Sequence, residues 1–177
     1  MTDPPTIEQL IEPHRKALGI SYEAYRNHVV RQLALCNLLG ADRFDSDTRL
    51  ALTVAGAFHD IGIWTDRTWD YLHPSLALAE AWLREQGRDD LVPLVARMVL
   101  EHHGLSARGA ADDPVEVFRR ADVIEVWLGI RRYGVSFRNY RRLLRDHPER
   151  GFHLMLIREF FRNLVKHPLR PLPMFRR

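Results

Sequence analysis

The stretch LALTVAGAFHDIG, residues 50–62, decides how this chain is read. Its apolar residues follow an acidic, serine-containing cluster at Asp45–Asp47 and show none of the strict alternation of a half-exposed strand, which predicts a helix that ends at Gly62. The adjacent pair His59–Asp60 closes that run. An imidazole and a carboxylate are ligands that a borderline divalent metal accepts readily, and two neighbours on one helical turn can reach a single ion.

Outward from this segment, apolar residues return at helical spacing nearly everywhere, so an all-α fold is expected. Thr6 and Gly19 bracket a first helix, and Ser21 and Gly40 bracket a second. Trp64 to His73 reads as a loop, and Pro74 opens a helix that Gly87 closes. Another helix runs from Asp89–Asp90 through His102–His103, with Pro93 tolerated in its first turn, and the next begins at Pro114. Gly129 and Gly134 break the chain before a further helix, and Pro148 precedes a last amphipathic one, ERGFHLMLIREFFRNLVK. The tail HPLRPLPMFRR holds three prolines and is expected to lie extended. The expectation is one domain over residues 1–177, with a core at about 20–130, C-terminal helices over 136–166 and a tail over 167–177.

The apolar fraction of 46% and charged fraction of 28% are those of ordinary soluble proteins, and no run has the length of a membrane span. The opening MTDPPT lacks the layout of a secretory signal, and a single cysteine, Cys36, forms no internal disulfide. A cytoplasmic protein with no membrane partner is expected. The net charge of +3 is carried almost wholly by arginine, with pairs at 119–120, 131–132, 141–142 and 176–177, a field that favours phosphate-bearing substrates.

If the second and third helices pair antiparallel through the turn at 40–45, His28 and the His59–Asp60 pair fall roughly 16 to 20 Å from that turn, at one level. Three ligands then meet. Asp122 is the best fourth, because it interrupts the apolar stripe Val115, Phe118, Ala121, Val126, where an unpaired carboxylate costs several kcal/mol to bury.

This ordered set, His28, then His59–Asp60 in the sequence HDIG, then Asp122, resembles the HD superfamily of metal-dependent phosphohydrolases over about residues 20 to 130. The resemblance implies a compact helical bundle of about seven or eight helices. It also implies one divalent metal (Mn, Co, Mg, Zn or Fe) on those four side chains, and hydrolysis of a small phosphate ester, a nucleotide among the options, by metal-activated water. Subgroups with two ions add histidines between the HD pair and the last aspartate. Here His73 and the doublet His102–His103 occupy that interval. The two-metal phosphodiesterases carry a basic residue where this chain has Ile63 and a glycine-tyrosine-proline signature where it reads GLSARGA, so cyclic dinucleotide hydrolysis is not expected.

For the chemistry, Asp66 is the nearest free acid to orient or deprotonate water, with Asp70 as its competitor. Arg67 and Arg119 are the first choices to grip phosphate, and Trp64, Trp69 and Tyr71 to close over a substrate. His14, His147, His153 and His167 read as structural.

Two alternatives stand beside the hydrolase. One is an HD-type di-iron oxygenase or metal hydratase, for which Tyr25 and Glu23 lie near the positions of the oxygenases' guarding tyrosine and glutamate. The other is a non-catalytic module that binds a nucleotide or nucleic acid, although nucleic acid is not the favoured partner. Oligomeric state stays open, a homodimer included.

Overall fold

The structure is a computed structural model that describes residues 4–104 and 106–166. The described residues form helices and no strand. Seven helices of ten residues or more carry the architecture: α3 (Tyr22–Leu38), α4 (Ser46–Phe58), α6 (Leu72–Glu85), α7 (Val92–Glu101), α8 (Pro114–Val126), α9 (Phe137–Asp146) and α10 (Phe152–Lys166). Three short ones, α1 (Ile7–Ile11), α2 (Arg15–Leu18) and α5 (Gly62–Thr65), complete it. No described helix is long and apolar enough to cross a membrane.

Local chemistry sets the ends. Asp45 caps α4 by accepting from the Thr48 amide at 2.8 Å, and Asp113 caps α8, whose first residue is Pro114, by accepting from Val115 at 2.8 Å. Gly40, at φ 110°, supplies the left-handed turn after α3. The first expected helix is broken: Pro13 lacks an amide donor and disfavours helix at the residue before it, so a 3₁₀ turn over Glu12–His14 separates α1 from α2. The segment expected as a loop after Gly62 holds α5, and α6 begins at Leu72, two residues ahead of Pro74. α10 begins at Phe152 rather than Glu149, because Arg150 and Gly151 take positive φ of 54° and 84°.

α3 packs along α8 and beside α4, while α7 lies across α4, α6 and α8. Leu35, Val54, Phe58, Val95, Met98 and Phe118 are buried in their common core. Cys36 is buried there too, and burial pushes its thiol pKa up, which leaves it an inert hydrophobe. The central helices therefore meet with both apolar and polar side chains turned inward: His28, Arg31, His59, His102, Glu125 and Asp122 are all at most 2% exposed. The tail 167–177, with His167 and the last arginine pair, lies outside the described residues.

Candidate metal centre

α4 ends at Phe58, and the chain turns through His59, Asp60 and Ile61 before α5. That turn places Gly62 against the start of α6. A Cβ on Gly62 would lie 2.7 Å from the Tyr71 carbonyl oxygen, and the Gly62 amide donates to Ser75 Oγ at 3.0 Å. Glycine here lets α5 and α6 close on each other, which fixes the direction of His59 and Asp60.

Five side chains from four segments converge. His28 Nε2 lies 3.2 Å from His59 Nε2, and Asp122 Oδ1 lies 4.0 Å from the first and 3.7 Å from the second. Asp60 divides its oxygens: Oδ2 is 3.4 Å from His59 Nε2 and Oδ1 is 3.4 Å from His102 Nε2. Asp60 Oδ1, Asp122 Oδ1 and His102 Nε2 are buried without a hydrogen-bond partner among the described residues. Such orphans carry a desolvation penalty that a cation removes.

The second ring nitrogens explain why the first ones face inward. His59 Nδ1 donates to Gly56 O at 2.9 Å and His102 Nδ1 to Val99 O at 2.7 Å, so each Nε2 is left as a lone pair when the ring is neutral. His28 Nδ1 faces Glu125 Oε1 at 3.6 Å. Glu125 is in turn gripped by Arg31, whose Nε donates to Oε1 at 2.7 Å and whose Nη1 donates to His147 O at 2.7 Å. Phe152 stacks on the His28 ring at 4.1 Å, and Tyr25 stacks on His59.

Charge follows from this packing. Burial alone would lower the pKa of His59, yet Asp60 and Asp122 push it up to about 10, and burial lowers that of His28. Burial opposes the ionised form of Asp60 as well, but His59 and His102 hold its pKa well below the usual carboxylate range. The cluster thus has the charge balance of a cation cradle, with a proton on His59 standing where a metal's charge would act.

The donor set fits a metal. A first-row divalent ion sits about 2.0–2.1 Å from nitrogen and oxygen donors, which leaves neighbouring donors roughly 3 Å apart, near the observed 3.2 to 4.0 Å separations. His28, His59 and Asp60 form one group able to hold an ion, and Asp60, His102 and His103 form a second that shares Asp60.

Several expected site residues lie elsewhere. His73 is exposed in the first turn of α6, because helix formation from Leu72 turns Leu72 and Leu76 inward and His73 out. Asp66 is exposed at the end of α5, accepting from Thr65 Oγ1 at 2.8 Å. Arg67, exposed at φ 54°, borders a different cavity between α2, α3 and α10. Asp70 and Glu23 are also exposed. Arg119 is buried beside the cluster but its guanidinium is taken: Nε and Nη2 donate to Glu116 and Nη1 to Gly104 O, each at 2.8 Å. His147 contributes its carbonyl rather than its ring, and His153 Nε2 meets Glu125 O at 3.1 Å.

A cavity of about 340 Å³ opens onto the cluster at Asp60, His102 and Asp122. Trp69, Tyr71, Val126 and Trp127 form walls, and Leu156, Ile157 and Phe160 of α10 close another side. Trp69 Nε1 donates to Glu159 O at 2.8 Å, which ties the segment before α6 to α10. Tyr71 Oη is hydrogen-bonded to His103 Nε2, and burial raises the tyrosine pKa well above normal while holding His103 down to about 3.

Glu125 and Arg31 were not singled out from the sequence, although each follows a candidate ligand by three residues, Asp122 and His28, and so shares its helix face. The α10 wall carried no sequence signal beyond amphipathicity. No protein-family model, curated protein or solved structure matches the chain.

Proposed function

We propose that this chain is a metal-dependent phosphohydrolase of the HD superfamily that cleaves a small phosphate ester. The observation that carries this reading is the buried cluster at the cavity floor, where the Nε2 atoms of His28, His59 and His102 meet Asp60 and Asp122 oxygens. His28, His59 and Asp60, joined by Asp122 at 3.7 Å from His59 Nε2, would hold a divalent cation, with His102 and His103 available to a second that shares Asp60. When bound, such a cation supplies Lewis-acid activation of water and charge neutralisation at phosphate.

The chain's own residues do the rest. Gly56 O and Val99 O fix two ring orientations, and the Arg31–Glu125 pair supports the third. Tyr71, kept as a phenol by burial, sits on the cavity wall beside Asp60, and its hydroxyl, which rests on His103 Nε2, would turn to donate to an ester oxygen. The floor residues Asp60, His102 and Asp122 are buried, which strengthens each polar contact there. A cytoplasmic setting goes with this reading.

The second group of Asp60, His102 and His103 favours a two-ion site, which a di-iron oxygenase would also need. Against that reading, Glu23 is exposed and the Tyr25 hydroxyl donates to Ala57 O at 2.9 Å, so the guarding pair is not assembled at the cavity. The test is metal analysis of protein purified without chelator, combined with a screen of phosphate esters for phosphate release. A metal-loaded protein inactive across the screen overturns the hydrolase.

A further inference from the structure

The cavity that leads to the cluster has a chemistry of its own. Away from its Asp60, His102, His103 and Asp122 floor and two arginines, its walls are Trp69, Tyr71, Gly104, Val123, Val126, Trp127 and the α10 residues, and among the described residues no Ser, Thr, Asn, Gln or Lys lines it. A sugar or nucleobase placed there would bury hydroxyls and ring nitrogens with almost no partners, a penalty that disfavours them. Two arginines line the cavity, but Arg119 is fully engaged by Glu116 and Gly104 O. Arg131 is exposed, lies over the Tyr133 ring at 4.7 Å and forms no ion pair among the described residues, so it is the cation left for an incoming anion. One such cation does not balance a polyphosphate. At about 340 Å³ the cavity is also near the lower end of the roughly 300–1,000 Å³ of small-molecule sites.

We infer that the cavity selects phosphate monoesters of small apolar, above all aromatic, alcohols. The inference rests on the phosphohydrolase reading and narrows its substrate class. The phosphate reaches Asp60, His102 and Asp122, the ring lies between Trp69, Trp127 and Phe160, and Arg131 faces the anion's approach. Asp60, His102 and Asp122 at the floor are at most 3% exposed, which leaves a phosphate there little room for the second organic arm of a diester. In the reaction a water oxygen bonds to phosphorus and the bond from phosphorus to the ester oxygen breaks. The electron pair leaves on that oxygen, a water proton goes with it, and the products are the alcohol and inorganic phosphate.

The experiment uses the full chain loaded with Mn²⁺. Phenylphosphonate, which is not hydrolysed, is titrated against methylphosphonate by tryptophan fluorescence, and phenyl phosphate turnover is compared with glycerol 3-phosphate and adenosine monophosphate. The expected result is about tenfold or more tighter binding of the phenyl compound and a similar preference in kcat/KM, from the apolar area buried. Trp127→Ala and Ile157→Asp, both at half-exposed positions (53% each), should bring that ratio close to one without loss of fold. Equal binding of the two phosphonates overturns the inference, as does a phenyl preference that both variants retain. Turnover of glycerol 3-phosphate or the nucleotide without aryl preference overturns it and leaves the hydrolase standing. A phenylphosphonate preference with no ester cleaved overturns the hydrolase and supports the cavity's selectivity for apolar anions.

Discussion

His28 Nε2 and His59 Nε2 face each other at 3.2 Å across the buried meeting point of α3 and the turn after α4. Two neutral imidazoles in that position present lone pairs to each other, which repel unless a proton or a cation stands between them. The expected outcome is that His59→Ala and Asp60→Ala abolish metal retention, while His73→Ala and His147→Ala keep it. Metal per chain measured by mass spectrometry decides this, and equal content in all four variants sinks the assignment.

Metal uptake should release protons. With its pKa pushed up to about 10, His59 is protonated at pH 7 in the metal-free protein, and a metal binds only the neutral ring. Affinity is therefore expected to rise with pH, by about tenfold per unit for each proton displaced, until pH nears 10. Calorimetry in two buffers of different ionisation heat reads the proton directly. The same raised pKa adds stability to the metal-free fold that is fully present below the ordinary value of 6.5 and is lost as pH climbs through about 10.

Glu125→Gln should weaken metal binding by roughly 10–100-fold, because the carboxylate behind His28 Nδ1 raises the ring's basicity and holds its orientation. It also leaves the buried Arg31 without its countercharge, a loss of about 3–5 kcal/mol in unfolding free energy. Replacing both residues by Met separates the effects: stability recovers in large part while metal affinity stays low. Recovery of both would reduce the pair to a packing role.

Gly62→Ala should destabilise the fold by about 1–3 kcal/mol, since its Cβ meets the Tyr71 carbonyl at 2.7 Å and backbone does not yield cheaply. Chemical denaturation checks the value. An unchanged midpoint would mean that α5 and α6 can part without consequence.

Tyr71→Phe should lower kcat on a phosphate ester with little change in KM, because the ring stays in the wall and only the hydroxyl is removed. Unaltered kcat would rule out proton donation by this phenol.

Periodicity and glycine or proline positions located most helices, and the antiparallel arrangement of α3 and α4 brought His28 level with His59 as their spacing implied. What the sequence hid was outcome rather than identity. His73 and Asp66 are polar residues close in number to the HD pair, but α6 starting at Leu72 and α5 ending at Thr65 rotate both to the surface. Arg119 is in the right neighbourhood, yet Glu116 one turn earlier captures it. Trp69 and Tyr71 line the cavity as their place after the HD pair suggested, but its α8 and α10 walls could not be read, because they are joined through tertiary packing that no local pattern encodes.

The turn over residues 147–153 is pinned on both sides: Arg31 donates to His147 O at 2.7 Å, Asn27 to Pro148 O at 2.8 Å, and Phe152 covers His28. A recombinant fragment cut at about residue 130 would strip these acceptors from two polar side chains of α3 and bare one face of the His28 imidazole to solvent. Any expression boundary that keeps the histidine cluster sealed must therefore reach beyond Phe152, so the segment over residues 147–152 is part of what shelters that cluster.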